Sequence, residues 1–203
     1  MMLLSEIQYF APISSYVHLI GASNIVFDPY EPYQRMTFRN RMIISGANGL
    51  ISLSVPLSLG RNQKGPIREV RIANRYGWQS SHWKTILSCY NRSPWFEYYR
   101  DELARLYEKH FNFLIDWDLA CLEWSLIKLE LPVTVTIESL PVGTMERSDQ
   151  IDIRNRIRPN NYQRTKPIVY SQVFKETRGF QPNLSILDLL FCEGKLSSSA
   201  LKG

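Results

Sequence analysis

His82 is the side chain in this sequence best suited to move a proton near neutral pH, because an unperturbed imidazole titrates there. It stands outside any recognisable catalytic motif, so a structural histidine near a helix end is the competing reading. Arg39 and Arg41 flank Asn40. If that segment is extended, both guanidinium groups share one face, since side chains two apart do. Such a pair grips a diphosphate bidentately; the alternative is a solvated edge of positive charge. Asn40 then points to the opposite face, where it presents its amide or holds a turn. A second basic run, Arg154-Asn155-Arg156-Ile157-Arg158, suits phosphate or the acceptor stem of an aminoacyl-tRNA. Only Tyr162 lies nearby to stack on bases, which favours an ordinary surface strand or loop. Near the C-terminus, Asn183, Ser185 and Asp188 form a polar group, although Ser185-x-x-Asp188 is also the spacing of a helix capping box. Trp78 is placed to stack on a sugar or base, while Trp83, Tyr90 and Trp95 read mainly as core.

Several chemistries find no motif. There is no Gly-x-x-x-x-Gly-Lys-Ser/Thr loop, no Gly-x-Gly-x-x-Gly and no Gly-x-Ser-x-Gly elbow. His-Glu-x-x-His does not occur, and no cofactor and no tightly bound metal are implied. Cys89, Cys121 and Cys192 are odd in number and far apart, which reads as three buried thiols.

The elements that must position these groups follow from periodicity. Leu3 to Ile7 reads as a strand. Pro12 then opens a helix in which Ile13, Tyr16, Val17 and Ile20 share a face, with His18 off it. Gly21 stops that helix and Asn24 to Phe27 returns as a strand, giving a βαβ unit with parallel pairing. Arg41 to Ser45 and Leu50 to Val55 flank Gly46-Ala47-Asn48-Gly49 as a hairpin with one wet face. Ile67 to Ile72 is a further extended piece, so the sheet is expected to be mixed. Trp83, Ile86, Leu87 and Tyr90 form a helix capped by Ser80 or Ser81, and Ser93-Pro94 starts another with Phe96, Tyr99, Leu103 and Leu106 inward. A third helix begins near Asp116 or Asp118 and ends before Pro132. Val133 to Ile137 is a strand, Gly143 to Gln150 a loop, Tyr170 to Phe174 a further strand, and Leu184 to Glu193 a helix stopped by Gly194. The expected fold is α/β: a mixed sheet with an N-terminal βαβ unit and a hairpin, packed against three to five helices. Residues 1–195 are expected to form one domain and 196–203 a mobile tail, the latter too poor in apolar groups to order itself.

Composition sets bounds on partners. Sixteen arginines against eight lysines give most of a net charge of +5, which suits anionic small molecules or simply a soluble surface. No apolar run is long enough to cross a bilayer and the N-terminus lacks signal-peptide character, so a cytoplasmic protein without a membrane span is expected. Nothing calls for DNA.

A set of phrases in order resembles the WbqC-like family, especially its shorter members. They are Gln8-Tyr9-Phe10-Ala11-Pro12 with Tyr16, then Tyr33 and Arg39-Asn40-Arg41, followed by Ala47-Asn48-Gly49. Trp78-Gln79-x-x-His82-Trp83, Tyr90 with Ser93-Pro94, and Gly179-Phe180-x-Pro182-Asn183-Leu184 onward to Phe191 continue the match. Where longer members carry a His-Gln-Pro turn after the first strand, this chain has Glu6-Ile7-Gln8-Tyr9. The resemblance implies a bacterial role in O-antigen-type surface-polysaccharide synthesis, as a glycyl or acyl transferase acting on an amino sugar or sugar nucleotide. Such a transfer needs a base for the amine, donors for the developing oxyanion and cations for a diphosphate. On that reading His82, Asn40 and Asn183 are the catalytic candidates, and Arg39, Arg41, Trp78, Tyr90 and Asp188 the substrate-binding ones. An RNA partner enters only as an aminoacyl donor. The alternative is a non-catalytic sugar-nucleotide-binding or scaffold protein of the same pathway.

Overall fold

The computed structural model describes residues 1–139 and 150–203. Strands β1 (Met2–Leu4) and β2 (Asn24–Phe27) pair in parallel around the short helix α1 (Ile13–Val17), as the βαβ pattern requires. Strands β5 (Thr134–Ile137) and β6 (Gln150–Asp152) extend the sheet to the order β5-β2-β1-β6, every pairing parallel. Leu3, Leu4, Ile25, Val26 and Phe27 are all buried, the continuous apolar run of strands covered on both faces. The antiparallel pairing is segregated into a separate hairpin of β3 (Arg41–Gly46) and β4 (Gly49–Ser54).

The helices α2 (Trp78–Tyr90), α3 (Phe96–Glu108), α4 (Leu114–Lys128) and α6 (Ile186–Glu193) supply an aromatic core. Trp117 packs against Tyr9, Phe10, Trp78 and Tyr107, while Phe191 packs against Tyr90, Phe96 and Tyr99. Cys89, Cys121 and Cys192 are buried free thiols. The phrase Gln8 to Pro12 is thereby explained: Tyr9 and Phe10 are both fully buried, and Phe10 adopts φ 38° to turn its ring inward.

Several local expectations are corrected. Ile67–Glu69 is a 3-10 turn rather than a strand, because Ile67 and Val70, three apart, both point into the core and eclipse in that geometry. Only isolated bridges, Leu57 with Ile72 and Arg71 with Phe113, remain of the extended piece. Tyr170 to Phe174 is not a strand either; side-chain bonds from Tyr170 to Asp188 and from Gln172 to Gln181 fix it as a loop. α2 starts at Trp78, directly after Gly77 with φ 58°, and is not capped by Ser80 or Ser81, because Trp78 and His82 add one more buried turn. Residues 196–203, expected to be mobile, include α7 (Ser197–Lys202), whose Leu201 is buried and whose Ser197 hydroxyl donates to Leu189 O. The loop expected at 143–150 lies outside the described residues, apart from Gln150 in β6. The helix α5 (Lys175–Arg178) is a single turn that buries no residue.

Gly194 ends α6 with φ 54° and packs against the Trp95 indole, so a Cβ there has no space. Gly194→Ala is expected to cost about 2 kcal/mol through strain and overpacking, measurable by urea denaturation.

Candidate functional site

A groove of about 930 Å³ is walled by the segment Tyr33–Met36, by Asn40 and Arg41 at the start of β3, and by Ser54–Leu57 leaving β4. The hairpin fixes the far wall: Arg41 pairs with Ser54, and Val55 N–H donates to Asn40 O at 2.8 Å. Asn40 Nδ2 donates to Val55 O at 3.1 Å, so the asparagine holds the wall it lines. Met36 is 64% exposed and takes φ 57°, a left-handed conformation costing a non-glycine residue of order 1 kcal/mol. Arg41 lines the groove, yet its Nε is shut off from solvent and has no hydrogen-bond partner.

Arg39 takes a different place from the one expected. It is fully buried, donating from Nε and Nη2 to Glu31 Oε1 at 3.2 and 2.9 Å and from Nη1 to Asn155 Oδ1 at 3.2 Å. The two arginines therefore do not grip one diphosphate, because one guanidinium is enclosed by protein. Arg39 sits beside the topological switch point between β1 and β6, where open parallel sheets commonly take ligands. Here that crevice is filled by protein groups. Glu6, following β1, accepts from Asn155 N–H at 2.6 Å and from Gln8 Nε2 at 2.7 Å. The cavity left beside them, about 30 Å³, has room for no more than a water or two. Burial pushes the Glu6 and Glu31 carboxyls up, and the Arg39 charge pulls both back. In the second basic run, Arg154 pairs with Asp152, while Arg158 reaches Gln34 on the groove wall at 3.0 Å.

His82 lies behind the groove rather than in it. It is 6% exposed, its Nδ1 lies 3.0 Å from the Tyr9 hydroxyl, and the Ser54 backbone is its other polar neighbour. Tyr9 continues to Tyr107 at 2.5 Å. Burial pushes the imidazole down to about 4, so it is neutral at physiological pH. Trp78, edge-on to both His82 and Trp117, is core and donates from Nε1 to Asn74.

Tyr90 and Asp188 do meet, but in the interior. Asp188 accepts from the Tyr90 hydroxyl at 2.6 Å and the Tyr170 hydroxyl at 2.7 Å, and burial pushes it up to about 6. Ser185 caps α6 through Leu187 N–H, whereas Asp188 turns away to the tyrosines, so the capping box is only half formed. Asn183, at φ 53°, donates its amide to Tyr162 O and Thr165 O, both at 2.9 Å, and has no donor left for a ligand. Of the eight expected site residues, the groove lining holds Asn40 and Arg41.

Tyr33, which lines the groove, was not among the expected site residues, nor were Glu31 beside Arg39 and the buried Asp118. Asp118 carried a signal: it falls four residues after Leu114 and four before Leu122, on the buried side of α4, where a carboxylate is out of place. Among the described residues no three His, Cys, Asp or Glu side chains gather to hold a metal, and no helix is long and apolar enough to cross a membrane.

Comparison with curated proteins and with solved structures gives no match. A model of the WbqC-like protein family matches residues 8–162. That range takes in both groove walls, the Arg39 centre and the His82 cluster. Because the match covers more than half of the sequence, the chain belongs to the WbqC-like protein family.

Proposed function

We propose that the groove binds an anionic sugar derivative, a sugar nucleotide above all, and that the protein serves surface-polysaccharide synthesis as a glycyl or acyl transferase. The observation that carries the binding step is Arg41, a cation at a groove wall whose buried Nε lacks a partner. A buried donor left unmade costs about 1–3 kcal/mol, and a phosphate oxygen is the acceptor a guanidinium fits best. Asn40 and Gln34 offer neutral polar edges for a sugar, and the exposed Met36 an apolar one. The transferase step rests on the family resemblance. A binding protein without catalysis is the second reading, favoured by the enclosure of His82.

A thermal-shift and mass-spectrometric screen against sugar nucleotides tests both, with glycine plus ATP, glycyl-tRNA and acyl thioesters as donors. Arg41→Ala is expected to weaken sugar-nucleotide binding roughly 10- to 100-fold while leaving the fold intact. A product one glycyl or acyl unit heavier establishes the transferase. Stabilisation without product selects the binding protein, and no stabilisation by any sugar nucleotide refutes the groove assignment.

A further inference from the structure

The positive charge of the chain is gathered on two segments. Residues 30–75 hold eight Lys and Arg against two Asp and Glu, and residues 154–166 hold five Lys and Arg with no acidic residue. The other residues carry eleven cations and seventeen anions, so away from these segments the chain is net acidic. Of the two carboxylates in 30–75, Glu31 is buried against Arg39, which leaves Glu69 as the exposed one. Solubility alone gives no reason for such concentration, since a charge serves it anywhere on the surface.

Folding brings the two segments together around the groove mouth. Arg158 Nη2 donates to Gln34 Oε1 at 3.0 Å, and Phe38 packs edge-on to Tyr162 with ring centroids 5.7 Å apart. Tyr33 N–H donates to Gly65 O, Arg68 N–H to Pro29 O and Ser58 N–H to Arg71 O, which joins the strip carrying Lys64, Arg68 and Arg71 to the same rim. Arg35 and Arg41 line the groove itself. Beside these cations stand two large apolar side chains with little cover. Met36, on the groove lining, is 64% exposed, and Leu59, next to the lining residue Gly60, is 60% exposed. Met36 also takes the left-handed backbone conformation, which a methionine rarely adopts.

A basic surface of one sign calls for a polyanion, and the apolar pair decides which. Unpaired RNA is gripped by stacking its bases on exposed aromatic rings. Among the described residues, the exposed aromatic side chain of this face is Tyr30, and the Arg68 guanidinium covers its ring, 4.7 Å from the centroid. Exposed aliphatic side chains among cations are instead what a peripheral protein lays into an anionic bilayer, the cations meeting lipid phosphates while the apolar tips reach the acyl boundary. We propose that this face, with Met36 and Leu59 at the groove rim, docks the protein on the surface of an anionic phospholipid bilayer, so that the groove mouth opens at the headgroup layer. Such docking engages the rim and is independent of what the groove itself binds.

Co-sedimentation of the full chain with vesicles of phosphatidylcholine alone, and of phosphatidylcholine mixed with phosphatidylglycerol, tests this at low and high salt. The chain is expected to bind the mixed vesicles roughly 10- to 100-fold more tightly than the neutral ones, and to lose most of that gain at about 0.5 M salt. Met36→Ser with Leu59→Ser is expected to weaken binding to mixed vesicles roughly 10-fold, and Lys64→Ala with Arg68→Ala to do the same. All four side chains are exposed, so the fold survives their loss. Arg105→Ala with Lys109→Ala removes the same charge from α3 and its C-cap and is expected to change nothing. Absence of binding to the mixed vesicles overturns the proposal. So does binding that Met36→Ser with Leu59→Ser leaves unchanged, or that the α3 pair weakens as much as the rim cations do, since either is adsorption by net charge alone. Binding of an RNA oligonucleotide without binding of vesicles overturns it too, and assigns the face to nucleic acid.

Discussion

Arg39→Ala is expected to lower the unfolding free energy by about 3–5 kcal/mol, the cost of removing one member of a buried ion pair. The loss comes from what is left behind. Glu31 is 8% exposed and would keep its carboxylate with no cation, and Glu6 and Asp118 would lose the positive charge that pulls each of them back from the effect of burial. Glu31→Gln should cost less, because it leaves Arg39 with Asn155 and the Glu6 and Asp118 charges for company. Urea denaturation of the two variants checks this order. A loss below about 1 kcal/mol for Arg39→Ala would show that the pair is not a structural centre. The same experiment separates the two arginines, since Arg41→Ala should affect ligand affinity far more than stability.

The second large effect is hidden in the wild type by two opposing titrations. His82 takes up its proton at about 4 in the folded chain against 6.5 ordinarily, so the unfolded chain holds the extra proton between those values. Stability from His82 therefore rises with pH across that window, by about 3 kcal/mol. Asp188 keeps its proton up to about 6 in the folded chain against 3.8 ordinarily, so here the folded chain holds the extra proton. Stability from Asp188 falls as pH rises from 3.8 to about 6, again by about 3 kcal/mol. The two slopes oppose each other, and the Glu6, Glu31 and Asp118 carboxyls, also pushed up by burial, act in the same sense as Asp188. Relative to the wild type, Asp188→Asn should gain stability as pH rises from 4 to 6.5 and His82→Gln should lose it. Unfolding free energies from urea titrations at those two pH values check it; two variants with the wild-type slope would show that neither group is perturbed.

The elements were legible where a local pattern sufficed. Asn24–Phe27 is an apolar run between turn signals, and the hairpin announces itself by alternation around Gly46-Ala47-Asn48-Gly49. β6 was not legible, because Gln150-Ile151-Asp152 is too short for its alternation to count; it is a strand through its pairing with Met2–Leu4. The loop Tyr170–Phe174 failed in the opposite sense. Its strand-like composition serves a tyrosine that must reach Asp188 and a glutamine that must hold Gln181.

The sequence by itself determined the residue types, the βαβ and hairpin patterns, the helical stripes and the family to which the chain belongs. It also placed Asn40 and Arg41 among the candidates, since polar groups beside a hairpin start remain near its surface. Only the tertiary structure decided that Arg39, two residues from Arg41, is enclosed by Glu31 and Asn155, and that His82 is a neutral member of an aromatic core. The physical reason is that desolvation and pairing depend on groups distant in sequence: Asn155 meets Arg39 across 116 positions, and Tyr9 meets His82 across 73.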